Sequence, residues 1–399
     1  MSNFHSLTQM KRIFHIDLDA FFVSAERVRD PSLIGIPVVV GGLSTSRGVV
    51  TCASYESRKF GINAGMPVSM AKRLCPSSIF VPIDLKYYKN ISKQFMDILS
   101  EYCPFLEALG LDEAYMDMTG FEPLYGCPTT SAQMLKRRIS KELGIPASVG
   151  IASSKPVAKI ASAFCKPSGL LEIPYGKDFE FLAPLPVGKL PGVGSSTRRK
   201  LRVMGLQTIG ELACTSEMKL SARLGKVGLS LLEVAKGLDE SPVITEKDTK
   251  SIGREFTYQK DSHDISYARK ALRYLVEQVC FDLRSQSRKA KKIELKLRWS
   301  DYVTLKRQTT SKAPSNSEDA LYGRAVELLS REMEAEANGK GRSLRLIGFR
   351  LSEFQEASVQ KSLSTELLGD LNELENLGSA LFDIRKRFGL DSIRRGEGP

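Results

Sequence analysis

The stretch FHIDLDAFF, residues 14–22, places two carboxylates, Asp17 and Asp19, inside an apolar run. The surrounding residues are typical of a buried strand, where aspartate is rare and an unpaired carboxylate is costly. One interpretation is an edge strand with an exposed acidic face. The other is a metal site at the end of a strand, and this stretch alone does not decide between them.

The length of 399 residues predicts about two to four domains. No apolar run approaches the roughly 20 residues of a membrane-spanning helix, and the N-terminal residues lack the apolar region of a secretion signal. We therefore expect an intracellular protein with no membrane partner.

The seven cysteines are scattered without a C-x-x-C pair, and there are only three histidines. This argues against zinc and is typical of free thiols in a reducing compartment. A catalytic metal would need carboxylate ligands, which suit Mg²⁺ or Mn²⁺. No GxxxxGK[ST] loop is present, which argues against a Walker-type nucleoside triphosphatase.

The net charge of +12 predicts a polyanionic partner. Residues 252–352 carry 21 Lys and Arg against 13 Asp and Glu, which is about two-thirds of the excess. A charged run is often only a solvated face, so this distribution alone is weak evidence for nucleic acid.

The order of elements in the N-terminal half predicts an α+β domain built on an antiparallel sheet, with residues 24–83 inserted in it. The predicted elements are a strand at 13–18, a helix at 85–102, a strand, turn and strand at 106–120, a helix at 131–144 and a strand at 147–153. Residues 178–238 read as short helices joined by Gly-rich turns.

A polar linker at 242–251 leads to a second β-α-β-β-α-β pattern at 252–352. Its strand KIELKLRW (292–299) alternates apolar residues with Glu294, Lys296 and Arg298, which predicts one core face and one basic face. The tail after residue 352 is polar and partly helical.

A second acidic cluster lies in LDEAYMD, with Asp112 and Glu113 at its start. At a hairpin tip, both could turn toward one cation and, with Asp17, form a carboxylate cage for Mg²⁺. The alternative is an acidic surface turn. The two motifs together favour the metal site, since each is embedded in an apolar strand.

Of three further signals, those of Tyr55 with Arg58 and of Lys166 are weak individually, whereas LPGVG favours a helix-hairpin-helix over ordinary turns. Tyr55 and Arg58 are three residues apart, so a helical turn would put both on one face, where they suit a triphosphate, and Lys166 of CKPSG adds a base. LPGVG (190–194) precedes a basic helix, as in a helix-hairpin-helix, and Gly192 and Gly194 would let backbone amides meet a DNA phosphate. Residues 224–237 are a weaker second copy, and ordinary turns are the alternative throughout.

The motifs HIDLDAFF, ASYESRKFG, LDEAYMD, SVGIASSKPVAKIASAFCKPSG and LPGVG occur in the order seen in Y-family lesion-bypass DNA polymerases. The chain resembles the DinB, or polymerase IV, branch from about residue 12 to about 352. The resemblance implies an α+β, multidomain right hand with an antiparallel-sheet palm. The implied segments are a palm at 1–24 and 84–173, fingers at 25–83, a helix-hairpin-helix thumb at 174–241, a linker at 242–251, a little finger at 252–352 and a tail at 353–399.

The resemblance also implies the site residues. Its metal ligands would be Asp17, Asp112, Glu113 and the backbone carbonyl of Leu18. The nucleotide contacts would be Phe21, Phe22, Tyr55, Arg58 and Lys166, with Phe22 as the steric gate against a ribose 2′-OH. The DNA contacts would be Gly192, Gly194, Lys296, Arg298 and Arg307.

The implied activity is low-fidelity, template-directed addition of dNTPs to a primer 3′-OH, without a proofreading exonuclease. Two Mg²⁺ ions, replaceable by Mn²⁺, would activate the 3′-OH and neutralise the leaving pyrophosphate. The partners would be primer–template DNA and dNTP, bound by a monomer. The family implies a cytoplasmic, nucleoid-associated prokaryotic protein.

Two positions depart from the family pattern. Gly110 stands where the family usually has Ser before the acidic pair, which predicts a looser turn. A sliding-clamp peptide usually ends in Leu and an aromatic residue, whereas QKSLS (360–364) has Gln360 and Leu363 but no aromatic residue. Clamp binding through this segment is therefore weakly supported.

Two other classes of function compete with polymerase activity. A non-catalytic DNA-binding protein would use the hairpin and the basic sheet but would leave Asp17, Asp112 and Glu113 unexplained. A nucleotide cyclase on a similar palm would leave the basic C-terminal half unexplained.

Overall fold

Strand β1, Ile13–Leu18, is the middle strand of a five-stranded sheet. The computed structural model describes residues 10–42, 47–246, 248–356 and 369–393. Both faces of β1 are covered, since Phe14 and Ile16 pack in one core and Ile13 packs in another. The edge-strand interpretation of this stretch is therefore wrong.

The sheet has the order β5-β6-β1-β7-β8. Strand β1 is antiparallel to β6 and to β7, and β8 runs parallel to β7, so the sheet is mostly antiparallel as predicted. The bounds of the other four strands are β5 Leu106–Ala108, β6 Glu113–Asp117, β7 Ala147–Ala152 and β8 Leu170–Glu172.

Helices cover both faces of this sheet. Helices α1, α4 and α6 contribute to the core that contains Phe14, and α7 packs on the opposite face against β1 and β7. Their bounds are α1 Phe21–Arg29, α4 Leu85–Tyr102, α6 Pro128–Leu143 and α7 Lys155–Phe164, with a short α5 at Glu122–Tyr125. Helix α4 has the predicted bounds because its apolar residues recur at helical spacing and Asp84 caps its start.

The segment between α1 and α4 forms its own small sheet in the order β3-β2-β4. Its elements are β2 Val38–Gly41, β3 Val50–Ala53, α2 Tyr55–Arg58, α3 Val68–Leu74 and β4 Ile79–Val81. A separate core that includes Val39 and Ile62 holds this segment together. Helix α1 runs continuously through residues 24 and 25, where the sequence predicted the palm to end and the fingers to begin.

Residues 178–235 form the predicted run of short helices. Their bounds are α8 Asp178–Leu182, α9 Ser195–Val203, α10 Ile209–Ala213, α11 Glu217–Leu224 and α12 Lys226–Ala235. Gly225, with φ +60°, joins α11 to α12 in the weaker predicted copy of the hairpin. No helix in the ranges that the structure describes is long and apolar enough to cross a membrane.

The chain divides into two compact units, residues 1–247 and 248–399. The second unit contains the predicted β-α-β-β-α-β pattern, with its sheet in the order β11-β10-β12-β9. Its elements are β9 Ser251–Ser262, α13 Ile265–Ser285, β10 Arg288–Trp299, β11 Thr304–Ser315, α14 Glu318–Ala337, β12 Leu344–Glu356 and α15 Gly369–Phe388. Strand β12 therefore continues past residue 352, where the tail was predicted to begin.

Helix α15 is attached to α13 and α14 by a buried charge cluster. The Arg385 guanidinium lies 2.8 Å from Glu318 and 3.3 Å from Glu277, and all three side chains are buried. Phe382 packs on Phe281, and Leu381 of the same helix is buried. The tail thus contains a helix that is an integral part of the second unit.

We expect Arg385→Ala to destabilise the second unit by about 3–5 kcal/mol, because two buried carboxylates would lose their counter-charge. Trp299 is the single tryptophan of the chain and lies in the core of this unit. Its fluorescence during guanidinium unfolding therefore reports on this unit specifically.

The matched control is Arg387→Ala, because Arg387 lies on the same helix and is exposed. We expect it to leave the unfolding midpoint nearly unchanged. Equal midpoints for the two variants would contradict a stabilising role of the buried cluster.

Candidate active site

The register between β1 and β6 brings the two acidic motifs together. Asp17 is directly opposite Glu113 in this antiparallel pair, and the Leu18 amide donates to the Asp112 carbonyl at 2.8 Å. Asp112 lies in the bend that joins β5 to β6, and Glu113 is the first residue of β6. The three predicted acids therefore meet at one end of the sheet, although nearly a hundred residues separate them in sequence.

Two lysines approach these acids from the segment around α7. Lys166 forms an ion pair with Asp17, and Lys159 is 2.5 Å from Glu113. In the ranges that the structure describes, no three or more His, Cys, Asp or Glu side chains are grouped closely enough to hold a metal ion as they stand. The predicted ligands are thus neighbouring acids, two of which have lysine partners.

The pKa values of the acids respond to this environment in opposite directions. The close contact with His15, together with the hydrogen bond from Lys159, lowers the pKa of Glu113 to about 2 despite partial burial. Burial raises the pKa of Asp17 although Lys166 opposes it, and burial with repulsion from Glu113 raises the pKa of Asp112. Burial thus disfavours the ionised forms of Asp17 and Asp112, and a divalent cation beside them would stabilise their charges.

The residue types at this strand end suit a hard divalent cation. Asp17 is opposite Glu113 and Leu18 bonds the backbone of Asp112, and oxygen ligands are those preferred by Mg²⁺ and Mn²⁺. Partial burial raises the pKa values of Asp17 and Asp112, so a cation beside them would favour their ionised forms.

The Asp19 carboxylate is held in place by hydrogen bonds inside the fold. Its carboxylate is buried and accepts hydrogen bonds from the Ser148 hydroxyl at 2.9 Å, the Ser168 amide at 2.6 Å and the Tyr55 hydroxyl at 3.2 Å. The carboxylate thus connects β1 to β7, to α2 and to the loop that carries Lys166. Hydroxyl and amide groups donate these bonds.

The predicted triphosphate-binding residues lie around the same strand end. Tyr55 and Arg58 lie on the single turn of α2, and the Arg58 guanidinium is 4.7 Å from the centre of the Tyr55 ring, so they share one face as predicted. Arg58 is exposed and donates to the Ala53 carbonyl at 3.0 Å. Burial, together with the nearby Asp19 carboxylate, raises the pKa of Tyr55, which therefore stays protonated.

The two phenylalanines at the start of α1 differ in environment. Phe21 is buried in the core, so its ring does not line an accessible surface. Phe22 is partly exposed and stacks on Tyr88, with ring centres 4.2 Å apart and planes 14° apart. The Tyr88 hydroxyl donates to Glu26 at 2.7 Å, which fixes the surface against which Phe22 rests.

The backbone conformation at residue 110 does not require glycine. It has no positive φ, and a Cβ atom at this position would come no closer than 3.7 Å to the Asp112 carboxylate. The looser turn predicted for Gly110 does not prevent Asp112 and Glu113 from reaching the strand end.

Three residues at the site were missed by the sequence analysis: His15, Lys159 and Ser162. His15 is buried on β1, and burial lowers its pKa, so the ring is neutral. Lys159 and Ser162 are three residues apart on α7 and point at Glu113 and His15, respectively. Their i, i+3 spacing in the sequence indicates that they share one face of a helix. Their partners cannot be predicted in this way, because they depend on how closely α7 packs on the sheet.

The glycines predicted to contact DNA flank the start of α9. Gly192 has φ +86°, and Gly194 is the residue before the first turn of the helix. A Cβ atom at either position would meet nothing within 4 Å, so the backbone here is open.

The open face of the second sheet carries most of the predicted basic residues. Ile293, Leu295 and Leu297 are buried under α13 and α14, so the alternate side chains of β10 face away from these helices. This open face carries Glu255, Lys292, Glu294, Lys296, Arg298, Lys306 and Arg350.

Arg307 does not belong to this open face. It is directly opposite Leu295 in the β10–β11 register, so it points to the helix side, where it pairs with Glu332 of α14 at 2.7 Å. Lys306, its neighbour, is opposite Lys296 and lies on the open face. Arg307 therefore lies on the face opposite to Lys296 and Arg298, and its contact with DNA stays a prediction that the open face does not support.

The weak clamp-binding segment, Gln360–Leu363, lies outside the described residues.

Three family models match the chain. The impB/mucB/samB family matches residues 16–163, its C-terminal domain matches residues 249–363, and the thumb domain of DNA polymerase-iota matches residues 188–239. Together these models cover both compact units and the helical segment that ends the first unit.

Curated relatives match over nearly the whole length. DNA polymerase IV of Dehalococcoides mccartyi strain CBDB1 is 40% identical, with 97% of each chain covered. DNA polymerase IV of Desulfatibacillum aliphaticivorans is 36% identical, with 96% of this chain and 95% of the relative covered.

Solved structures share the fold. A Y-family DNA polymerase chimera of Dbh and Dpo4 has a TM-score of 0.78 at 29% identity, over 86% of this chain and 99% of the chimera. DinB from Sulfolobus solfataricus has a TM-score of 0.58 at 30% identity, over 86% of this chain and 98% of that chain. An insertion ternary complex of Dbh DNA polymerase has a TM-score of 0.59 at 29% identity, over the same shares.

These matches confirm the predicted α+β polymerase fold with palm, thumb and little finger, and the DNA-directed DNA polymerase activity. They also confirm the expectation of a lesion-bypass enzyme, in a family that generally uses divalent metal ions. The chain therefore belongs to the Y-family DNA polymerases, in the DNA polymerase IV (DinB) branch of translesion enzymes.

Proposed function

We propose that Asp17, Asp112 and Glu113, with the backbone carbonyl of Leu18, hold two Mg²⁺ ions, for which Mn²⁺ can substitute. The observation that carries this proposal is the β1–β6 register, which places Asp17 opposite Glu113 and next to Asp112. When bound, such ions activate the primer 3′-OH and neutralise charge on the triphosphate.

Basic and hydroxyl side chains around the site would bind the incoming dNTP. Lys166 forms an ion pair with Asp17, so a triphosphate arriving next to it offers the ammonium group a second anionic partner. Tyr55 and Arg58 present a hydroxyl and a guanidinium on one face of α2, which suits adjacent phosphate oxygens. Phe21, which is buried, would contribute through its backbone only.

Phe22 would act as the steric gate. Its ring is partly exposed, and its movement is restricted because Tyr88 stacks on it and is itself hydrogen-bonded to Glu26. A ring fixed in this way would collide with the 2′-OH of a ribonucleotide. It would leave room for a deoxyribonucleotide, which lacks this group.

The DNA contacts would come from two surfaces. Gly192 and Gly194 would present backbone amides to a phosphate at the start of α9. The open face of the second sheet would lie along the DNA backbone through Lys296, Arg298 and Lys306. Solved relatives described as an insertion ternary complex and a post-insertion binary complex support the assignment of primer–template DNA and dNTP as partners.

We assign the five-stranded sheet and its helices to the palm, the β3-β2-β4 segment to the fingers, α8–α12 to the thumb and the second unit to the little finger. The enzyme would act as a cytoplasmic monomer. Helix α15 would belong to the little finger, since Arg385 anchors it there.

We expect Asp17→Ala or Glu113→Ala to lower Mg²⁺-dependent primer extension by about a thousandfold, because metal ligation supplies several kcal/mol to the reaction. Primer–template affinity should be retained, because these acids make no favourable contact with phosphate unless a metal lies between. Single-turnover extension and fluorescence anisotropy measure the two quantities, and near-normal extension by both variants would refute the assignment.

Phe22→Ala should raise the efficiency of ribonucleotide incorporation relative to deoxyribonucleotide incorporation by at least about tenfold, because the steric exclusion is removed. The measurement is kcat/KM for each nucleotide opposite the same template base. Tyr87→Ala is a control, because Tyr87 lies next to Tyr88 but does not stack on Phe22. Unchanged sugar selectivity in Phe22→Ala would refute the gate.

Lys306→Gln and Arg307→Gln form a matched pair on opposite faces of the same strand. We expect Lys306→Gln to weaken DNA binding and to reduce the slope of log Kd against log salt by about 1, since one phosphate contact is lost. Arg307→Gln should leave both quantities unchanged, because Arg307 points to α14. Equal effects of the two variants would contradict the assignment of this DNA contact to the open face.

A further inference from the structure

Two buried polar residues behind Glu113 have no role in the assignment above. His15 lies on β1, two residues before Asp17, and its Nε2 atom is 3.2 Å from Oε2 of Glu113. Its Nδ1 atom is 2.7 Å from the hydroxyl oxygen of Ser162, which is buried on α7. One imidazole thus connects α7 to a carboxylate of the proposed metal site.

The hydroxyl hydrogen of Ser162 has two acceptors within reach, the Lys159 carbonyl at 2.9 Å and Nδ1 of His15. The Lys159 carbonyl lies inside a helix, where it already accepts an amide from the next turn. If the hydroxyl bonded there, Nδ1 would carry the ring hydrogen and the Nε2 lone pair would face a carboxylate. If Ser162 donates to Nδ1 instead, Nε2 carries the hydrogen and directs it at Glu113.

The contacts of Glu113 are concentrated on one of its two oxygens. His15 and Lys159 both approach Oε2, whereas no hydrogen bond or ion pair from the described residues reaches Oε1. The buried Nε2 atom of His15 has no well-aligned hydrogen bond among the described residues, so Glu113 is the acceptor available to it. These contacts hold Oε2 and leave Oε1 without a hydrogen-bond partner among the described residues.

We propose that Ser162 and His15 are positioning residues: Ser162 sets the tautomer of His15, and His15 holds Oε2 of Glu113 so that Oε1 faces the metal. Groups that orient a metal ligand from behind contribute to metal affinity without touching the metal. The inference rests on the proposed function, because it requires Glu113 to be a ligand.

The test is Mn²⁺ titration of the full-length protein, with the free ion measured by electron paramagnetic resonance. We expect Ser162→Ala to weaken Mn²⁺ binding by about tenfold, as the loss of an orienting group typically does. Ser131→Ala is the matched control, because Ser131 is a buried serine on α6 whose hydroxyl bonds only backbone carbonyls. It should bind Mn²⁺ like the wild type, and circular dichroism melting should show that both variants fold.

Glu113→Gln separates the failure of this inference from the failure of the proposed function. If Glu113→Gln alone binds Mn²⁺ normally, the proposed ligand set is wrong. If Glu113→Gln weakens binding but Ser162→Ala behaves like Ser131→Ala, the positioning role is overturned and the ligand set stands. In the Glu113→Gln background, Ser162→Ala should cause no further loss, and an undiminished further loss would show that Ser162 acts through general stability.

Discussion

Antiparallel pairing of β1 with β6, in the register that places Asp17 opposite Glu113, brings together the acids on which the rest of the site depends. Side chains alternate along a strand, so a slip of one residue would turn Asp17 toward the core that contains Ile16. The register is strongly specified because β1 is covered on both faces and an acid on the wrong face would be buried without a partner. Burial of β1 on both faces therefore also determines the direction in which the Asp17 side chain points.

Close packing of α7 on β7 delivers the basic and polar partners of these acids. A Cβ atom on Gly150 would lie 2.1 Å from the Ala158 carbonyl and 2.3 Å from the Ser162 amide, so only glycine permits this approach. The helix then brings Lys159 to Glu113 and Ser162 to His15, and the loop after it brings Lys166 to Asp17. One glycine on a buried strand thus supports contacts to both neighbouring acids.

The sequence predicted what short-range patterns determine. Helix α4 was predicted with the bounds that it has, and the meeting of Asp17 with Glu113 followed from two acidic motifs in neighbouring strands. The face of Arg307 was not predictable, because it depends on how β10 and β11 pair across their turn. The anchoring of α15 was missed for a similar reason, since Glu277 and Glu318 become partners of Arg385 only after three helices pack.

The charge balance of the site explains why lysines occupy positions next to proposed metal ligands. Buried carboxylates need counter-charge in every state of the protein, and Lys166 and Lys159 supply it where Asp17 and Glu113 would otherwise be isolated. On the proposed assignment, a metal-bound triphosphate brings cations for the carboxylates and anions for Lys166 at the same time. The carboxylates would exchange lysine for metal as their counter-charge, and Lys166 would exchange Asp17 for the triphosphate. We therefore expect nucleotide and metal to bind together at a lower electrostatic cost than either does alone.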